Sequence, residues 1–518
     1  MKKRILWLCL ALAVGQAGHA YAQAPDDALR YSRLQFGGPA RTQGIAGANV
    51  ALGADFGNLT SNPAGLGFYQ KSEAHVGVGV GIGSSNSSLN GSNKVNDNAN
   101  SVNVPSIGLV LATRRPDNDQ SYWRGGAFAL GFTRLADFNV ASNYSGSVTD
   151  NHSFFQYLRE GDVSQLSNVD AQYRNNQYTN IDGLAYGGYL TDLLVKRRNQ
   201  NNPNAPADSI GTRNRVGDIA QGERIVSSGS MSQFDLGYGG NYRDKLYIGL
   251  GVGIVSSNYR QSRDFSEAEN TASTPFVNLL LHDELHTTGT GINGRLGLIY
   301  RVANAVRLGA SVQTPTFMRM TDTYSTSLNT NFTPQGQTGA TIISNVYNST
   351  VPGTYDYTIT TPFRANGGVA VVIGKYGFLT GDVEYVGYGQ ARINNDPNGA
   401  NGDNSSFAAQ NQRIQDLYRN TLNFRVGAEG RFDIFRARLG FATYGDPYKT
   451  TSAGNSSAQN FYTVGLGIRQ KSLFVDLAGV YTTVNRYYSP YTLNSGQEPV
   501  AAVSNSRFTT SVTAGLAF

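Results

Sequence analysis

The chain has 518 residues, 40% of them apolar and only 15% charged, with 61 glycines, 30 tyrosines and 24 phenylalanines. So little charge and so much glycine exclude a charged disordered chain and do not suit a helical enzyme; they suit an all-β protein with many polar connections. Three of the 42 basic residues and none of the 36 acidic ones lie at the extreme N-terminus, so the rest of the chain is close to neutral and nucleic acid is not implied as a partner.

Residues 1–22 read as a signal peptide. Lys2, Lys3 and Arg4 form a positive start, Ile5 to Val14 a short apolar run, and Ala20-Tyr21-Ala22 a cleavage site before Gln23. The apolar run is too short to span a bilayer. Cys9, the one cysteine, lies inside it, so the mature chain can form no disulfide, no thiolate metal site and no thiol nucleophile. No later stretch approaches 18 apolar residues, so no transmembrane helix is expected.

Residues 23–73 do not alternate like a strand. They are rich in Gly and Ala and carry Gly44-Ile45-Ala46-Gly47-Ala48, then Ser61-Asn62-Pro63-Ala64-Gly65-Leu66. Asn62-Pro63 favours a turn, and Gly65 permits close approach of another backbone. Small residues throughout let this stretch fold compactly inside a tube.

From Ala74 onward, segments of about ten residues alternate apolar with small or polar residues. Val76, Val78, Val80 and Ile82 open the series, and Phe508, Val512, Leu516 and Phe518 close it. The pattern predicts fourteen strands, near 74–84, 103–113, 124–138, 229–243, 245–260, 284–302, 305–330, 353–374, 376–393, 420–433, 435–445, 459–471, 473–488 and 507–518. Connections alternate between tight turns, such as Asp433-Ile434, and long loops at 84–102, 139–228, 261–283, 331–352, 394–419, 446–458 and 489–506. Short turns on one side and long loops on the other describe a transmembrane β-barrel. Opposite the apolar positions stand Arg295, Arg307, Arg364, Asp382, Glu384, Arg425 and Glu429, expected as lumen charges. Alternating residues before Phe518 are similar to the C-terminal signal of barrels that the assembly machinery reads.

The loops hold apolar clusters. Pro275 to Leu285 reads as a short helix with Phe276, Leu279 and Leu280 on one side; Phe154 and Phe155 form a second cluster, and Leu184, Leu190, Leu193 and Leu194 a third. Each is a candidate ligand groove, or the small core that a long loop needs to stay folded. His282 and His286 stand at metal-binding spacing if that segment is helical, but Asp283 replaces the Glu that zinc proteases need, and solvated histidines are the simpler reading. Gly289-Thr290-Gly291-Ile292-Asn293-Gly294 matches a dinucleotide fingerprint yet leads into a strand, so the context fails. Asp382 and Glu384 could serve as acid and base, but read better as lumen charges facing Arg364 or Arg425. With no nucleophile–base pattern in supporting context, neither an enzyme nor a cofactor is expected. Asn-rich stretches at 86–103, 199–204 and 394–411 read as loop tips.

The run from Gly44 through Asn62-Pro63-Ala64-Gly65-Leu66 resembles the N-terminal hatch of the FadL/TodX family, and Asp27-Ala28-Leu29-Arg30-Tyr31-Ser32 looks most like its Bacteroidetes branch. The resemblance implies a fourteen-stranded barrel (74–518) plugged by the hatch (23–73) in the outer membrane. It implies passive uptake of small hydrophobic molecules, long-chain fatty acids or aromatic hydrocarbons, past a hatch that moves at Asn62, Pro63, Ala64, Gly65 and Leu66. An exit sideways through the wall suits apolar cargo, because release into water costs about 0.8 kcal/mol per exposed methylene. Two alternatives are an accessory or shuttle barrel of a type IX-like secretion system, to which the long 139–228 loop is suited, and a general porin. Expected partners are outer-membrane lipid, a small hydrophobic ligand and the barrel-assembly machinery through Phe518.

Overall fold

The computed structural model describes residues 25–518 apart from 117, 162–165, 195–208, 271–273, 334–343, 397–406, 451–455, 495 and 497. The signal peptide, the Asn-rich stretch at 199–204 and most of that at 394–411 lie outside the described residues.

Fourteen strands run in chain order: β1 (Glu73–Leu89), β2 (Val95–Asn103 and Ser106–Arg114), β3 (Trp123–Asp137 and Val140–Val148), β4 (Ile219–Tyr242), β5 (Leu246–Glu269), β6 (Phe276–Arg301), β7 (Val306–Gln313 and Phe317–Phe332), β8 (Asn345–Ser349, Gly353–Thr360 and Arg364–Ile373), β9 (Gly377–Gly387 and Arg392–Asn395), β10 (Asn420–Phe432), β11 (Phe435–Tyr444), β12 (Gln459–Gln470), β13 (Leu473–Tyr488) and β14 (Ala501–Ala517). Each neighbour is antiparallel, and β14 returns to pair with β1 from Glu73↔Ala517 to Leu89↔Ala501, which closes the sheet. Closure removes the two free edges that an open sheet would present to lipid.

Alternation sets which face meets lipid. On β5, Ile248, Leu250, Val252 and Ile254 point outward and are exposed. Beyond them the same outward face carries Ser256, Asn258 and Arg260. The apolar band therefore ends near Ile254, and the strands continue above it as a hydrated extension of the barrel. At the opposite rim the hairpins turn tightly, with positive φ at Arg243 and Asp244 (58° and 54°), at Asp433 (52°) and at Lys471 (55°). Among the described residues no helix is long and apolar enough to cross a membrane.

The extension corrects two expectations. Pro275 to Leu285 is not a helix: from Phe276 it is the outer part of β6, with Leu279 and Leu281 turned in and Val277 and Leu280 turned out. The expected loops at 84–102 and 261–283 are largely strand, leaving connections only at 90–94 and 270–275.

Within the barrel, residues 25–69 form α1 (Pro25–Arg30), α2 (Ala40–Gln43), α3 (Asn58–Ser61) and a 3-10 turn (Pro63–Phe68). The long outer connection between β3 and β4 holds α4 (Phe154–Arg159), α5 (Leu166–Asn175) and α6 (Ile181–Gly187). α7 (Ala408–Leu417) precedes β10 and packs Ile414 into the apolar cluster that also holds Leu29 and Tyr31.

Candidate functional site

The Asn62-Pro63 turn is built by its own side chain. The Asn62 Oδ1 accepts from the Ala64 N–H at 3.1 Å, capping the 3-10 turn, while its Nδ2 donates to Val50 O at 2.8 Å and to Leu298 O of β6 at 3.1 Å. One buried side chain thus ties two parts of the N-terminal segment to the wall. Ala64, Gly65 and Leu66 are buried behind it. The wall makes room with glycine: a Cβ added at Gly249 would stand 2.2 Å from Pro63 C, and one at Gly297 1.9 Å from Asn62 Oδ1. The glycines of β1 serve a different purpose, since Gly81 and Gly83 face the Arg507 side chain rather than the segment.

The inward-facing charges hold the N-terminal segment as well as each other. The Arg295 guanidinium donates to Leu59 O at 2.6 Å and pairs with Asp235 at 2.8 Å. Arg307 donates to Leu52 O and lies over the Phe68 ring. Arg364 donates to Ser32 O and pairs with Glu384 at 3.0 Å, which in turn pairs with Arg425 at 2.5 Å. Asp382 faces the segment, not an arginine, and accepts the Val50 N–H at 3.0 Å. Glu429 takes Arg438 at 2.7 Å and Arg431 at 2.8 Å.

The loop candidates become a closed core. Phe154, Phe155, Phe276 and Leu279 are buried together with Leu184, Leu190, Phe265 and Tyr491 in the outer cap. Leu280 points away from them to solvent. Buried side chains of this kind hold α4 and α6 on the barrel extension and offer no open groove. His282 and His286 lie on β6, not on a helix, where His282 Nδ1 meets Asp264 at 2.6 Å and His286 meets Asn258 at 3.2 Å. Among the described residues no group of His, Cys, Asp and Glu is arranged to hold a metal.

The open space lies elsewhere, between α1, the following segment and the wall. An outer cavity of about 270 Å³ is lined by Arg30, Arg33, Tyr259, Tyr448, Arg486 and Tyr488 among others. It shares Gln35, Ala136, Asp137 and Arg486 with an adjoining cavity of about 140 Å³, which continues to Pro105, Leu135 and Asn139. Arg30 is paired with Asp27 and stacked on Tyr259. Arg33 donates to Ser457 O at 2.6 Å. Among the described residues, neither Arg33 nor Arg486 is ion-paired, so the outer cavity carries positive charge among tyrosine rings. Burial pushes the Asp27 carboxyl up to about 6 despite Arg30, and raises Asp26 beside it.

The inner cavity ends at a break in the wall. The outer half of β2, Val95–Asn103, is bonded only to β1, and the outer half of β3, Val140–Val148, only to β4. The facing edges of β2 and β3 share no ladder above Ser106↔Thr133. Pro105 removes a donor at that point, and β3 bends at Phe138-Asn139. The N-terminal segment touches this bend: the Gln35 N–H donates to Leu135 O at 2.8 Å, and a Cβ on Gly37 would stand 2.0 Å from Arg134 O. None of this was legible in the sequence, although Pro105 and the Asp137-Phe138-Asn139 end of the third predicted strand mark the place.

No family model matches the sequence, and no curated protein matches it. Among solved structures the chain is similar to a Pseudomonas aeruginosa FadL homologue, with a TM-score of 0.52 and 13% identity over 92% of this chain and 98% of that one. It is also similar to the P. putida toluene transporter TodX (TM-score 0.49, 13% identity, 93% and 99% covered) and the Ralstonia pickettii toluene transporter TbuX (0.46, 14%, 93% and 99%). At such identities it is the fold that is shared, and only the first of the three is similar enough to argue from. With its closed ring of fourteen antiparallel strands, the chain has the barrel fold of the FadL homologue.

Proposed function

We propose that the chain is an outer-membrane channel for passive uptake of small hydrophobic molecules, with its N-terminal segment as the hatch. The observation that carries this reading is the unladdered seam between β2 and β3, reached from the lumen cavities and touched by the segment at Gln35 and Gly37. A watery pore needs no hole in its side. An apolar cargo does, because leaving sideways avoids about 0.8 kcal/mol for each methylene that would otherwise meet water. The seat at Asn62, Pro63, Ala64, Gly65 and Leu66 is the part of the hatch that must shift relative to β5 and β6. Phe518, exposed at the end of β14, supplies the signal for the assembly machinery.

The cavity chemistry favours one cargo over the other. Two guanidiniums with no ion pair among the described residues, beside Tyr259, Tyr448 and Tyr488, suit an amphiphile with an anionic head, as in a long-chain fatty acid, better than a neutral aromatic hydrocarbon. The test is uptake of a labelled long-chain fatty acid and of a small aromatic hydrocarbon by a transport-deficient Gram-negative host at matched surface expression. The intact chain should exceed an empty vector, Asn62→Ala/Pro63→Ala should lose uptake of both, and Arg33→Ala/Arg486→Ala should lose chiefly the fatty acid. Uptake equal to the vector with a folded barrel refutes the channel.

A further inference from the structure

The seam between β2 and β3 lacks a backbone ladder; Ser85 and Ser92 bond Ala141 O and Ser145 O of outer β3, and at the bend side chains converge on one carboxylate. Asp137 Oδ2 accepts from Ser101 Oγ of β2 at 3.2 Å, from Arg134 Nη2 of β3 at 3.0 Å and from Arg507 Nη2 of β14 at 3.1 Å. Its Oδ1 accepts the Asn139 N–H at 2.9 Å, which fixes the bend itself. Arg507 donates also to Ser101 Oγ and, at 2.9 Å, to Asn139 O. To reach them the guanidinium crosses the inner face of β1, and a Cβ at Gly81 would stand 2.3 Å from its Nη2. Three strands are thereby fastened beside a stretch where β2 and β3 share no ladder.

We propose that Asp137 is the latch of the side exit, a gating residue that holds the seam shut until the hatch moves; this rests on the channel reading above. The residues that carry the latch are joined to the hatch through the backbone. Gln35 is bonded to Leu135, two residues before Asp137, and Gly37 lies against Arg134, which supplies one of the bonds to the carboxylate. A shift of the segment at 35–37 pulls on the bend and loosens the carboxylate from Ser101. The latch has the chemistry this task needs. Charge-assisted hydrogen bonds are strong enough to hold two strand edges together, and with several partners around one carboxylate they break and re-form together.

The mature chain lacks cysteine, so a Ser101→Cys/Asp137→Cys pair gives a clean lock. Its reduced form has no latch and should take up the labelled fatty acid at or above the rate of the unaltered chain. Mild oxidation should join the two sulfurs, seen as a mobility change of the unheated barrel, and bring uptake to the vector level; a reductant should restore it. Asp137→Asn, which keeps shape and drops charge, should raise uptake with an unchanged heat-modifiable band. An oxidised pair that still transports, or a pair that does not form a disulfide, overturns the latch while leaving the channel standing. If the unaltered chain itself does not exceed the vector, the channel reading fails instead.

Discussion

Gly297→Ala isolates the seating of the N-terminal segment from the stability of the wall. In the native structure a Cβ at this position would stand 1.9 Å from Asn62 Oδ1 and 3.1 Å from Pro63 Cδ. Asn62 is fully buried and cannot turn aside without giving up its bonds to Val50 O, Leu298 O and the Ala64 N–H. Overpacking costs about 1–3 kcal/mol, and each forfeited hydrogen bond about 1 kcal/mol. The seated state should therefore lose roughly 3–5 kcal/mol, or about two to four decades in its equilibrium with an unseated one. The ladder is untouched, because Gly297 keeps its backbone pairing with Gly249 and Ser311. The assay is limited proteolysis of the purified barrel in detergent. Cleavage within residues 25–69 should accelerate strongly while the heat-modifiable band of the folded barrel persists. Gly367→Ala is the control, since its added Cβ would meet nothing closer than Val383 Cγ1 at 3.8 Å. If the two variants are cut at the same rate, the segment is not held by this seat and the packing argument is wrong.

Three further outcomes follow from buried groups. Arg438→Ala strips Asp476 of its cation, now 2.6 Å away, and Glu429 of one of its partners, so the unfolding temperature read from the heat-modifiable band should fall by the equivalent of about 3–5 kcal/mol. Phe154→Ala empties a site packed by the rings of Tyr157, Phe265 and Tyr491; a loss of about 3–5 kcal/mol should expose the connection between β3 and β4 to protease with the barrel intact. Asp27, whose carboxyl is raised from 3.8 to about 6 by burial, binds its proton more tightly when α1 is seated than when it is free. Seating should therefore be strongest below about pH 4 and weaken as pH rises through 6, measured as protease protection of residues 25–69 between pH 4 and pH 8, and Asp27→Asn should flatten that profile.

The fourteen strands were legible because lipid reads one face of each: Ile248, Leu250, Val252 and Ile254 must all be apolar, and a period of two survives in the sequence. Above the bilayer that constraint ends. On β5 the outward series becomes Ser256, Asn258 and Arg260, so the strand continues by backbone bonding to Glu269 without an apolar signature, past the end expected near 260. At the start of β6 a register shift between Phe276 and Asn278 breaks the period, which is why Phe276, Leu279 and Leu280 suggested a helical face. The Asn62-Pro63 turn announced itself through local chemistry. Arg507, Ser101 and Asp137 could not, since they lie up to 406 residues apart and meet only because β14 closes on β1.

That closure makes the seam the cheapest place to open the wall. Within the apolar band neighbouring strands are joined by their backbones, and in lipid each broken backbone bond strands a donor and an acceptor at several kcal/mol apiece. Parting a laddered pair inside the band would therefore cost several kcal/mol for each bond broken. Between β2 and β3 nothing of this kind has to break. The outward residues Asn96, Asn98 and Asn100 lie above the apolar band, where water serves the unpaired backbone, and the seam reaches the band only at Val102, opposite Val80. What holds it is the Asp137 carboxylate with its partners, at about 1.5–3 kcal/mol for each charged hydrogen bond, and farther out the bonds of Ser85 to Ala141 O and Ser92 to Ser145 O, the Arg224–Asp97 pair at 3.2 Å and Leu89 packed with Tyr144 and Val148. On the channel reading proposed above, a displacement at Gln35 and Gly37 reaches both the bend of β3 and, through Arg134, the Asp137 contacts.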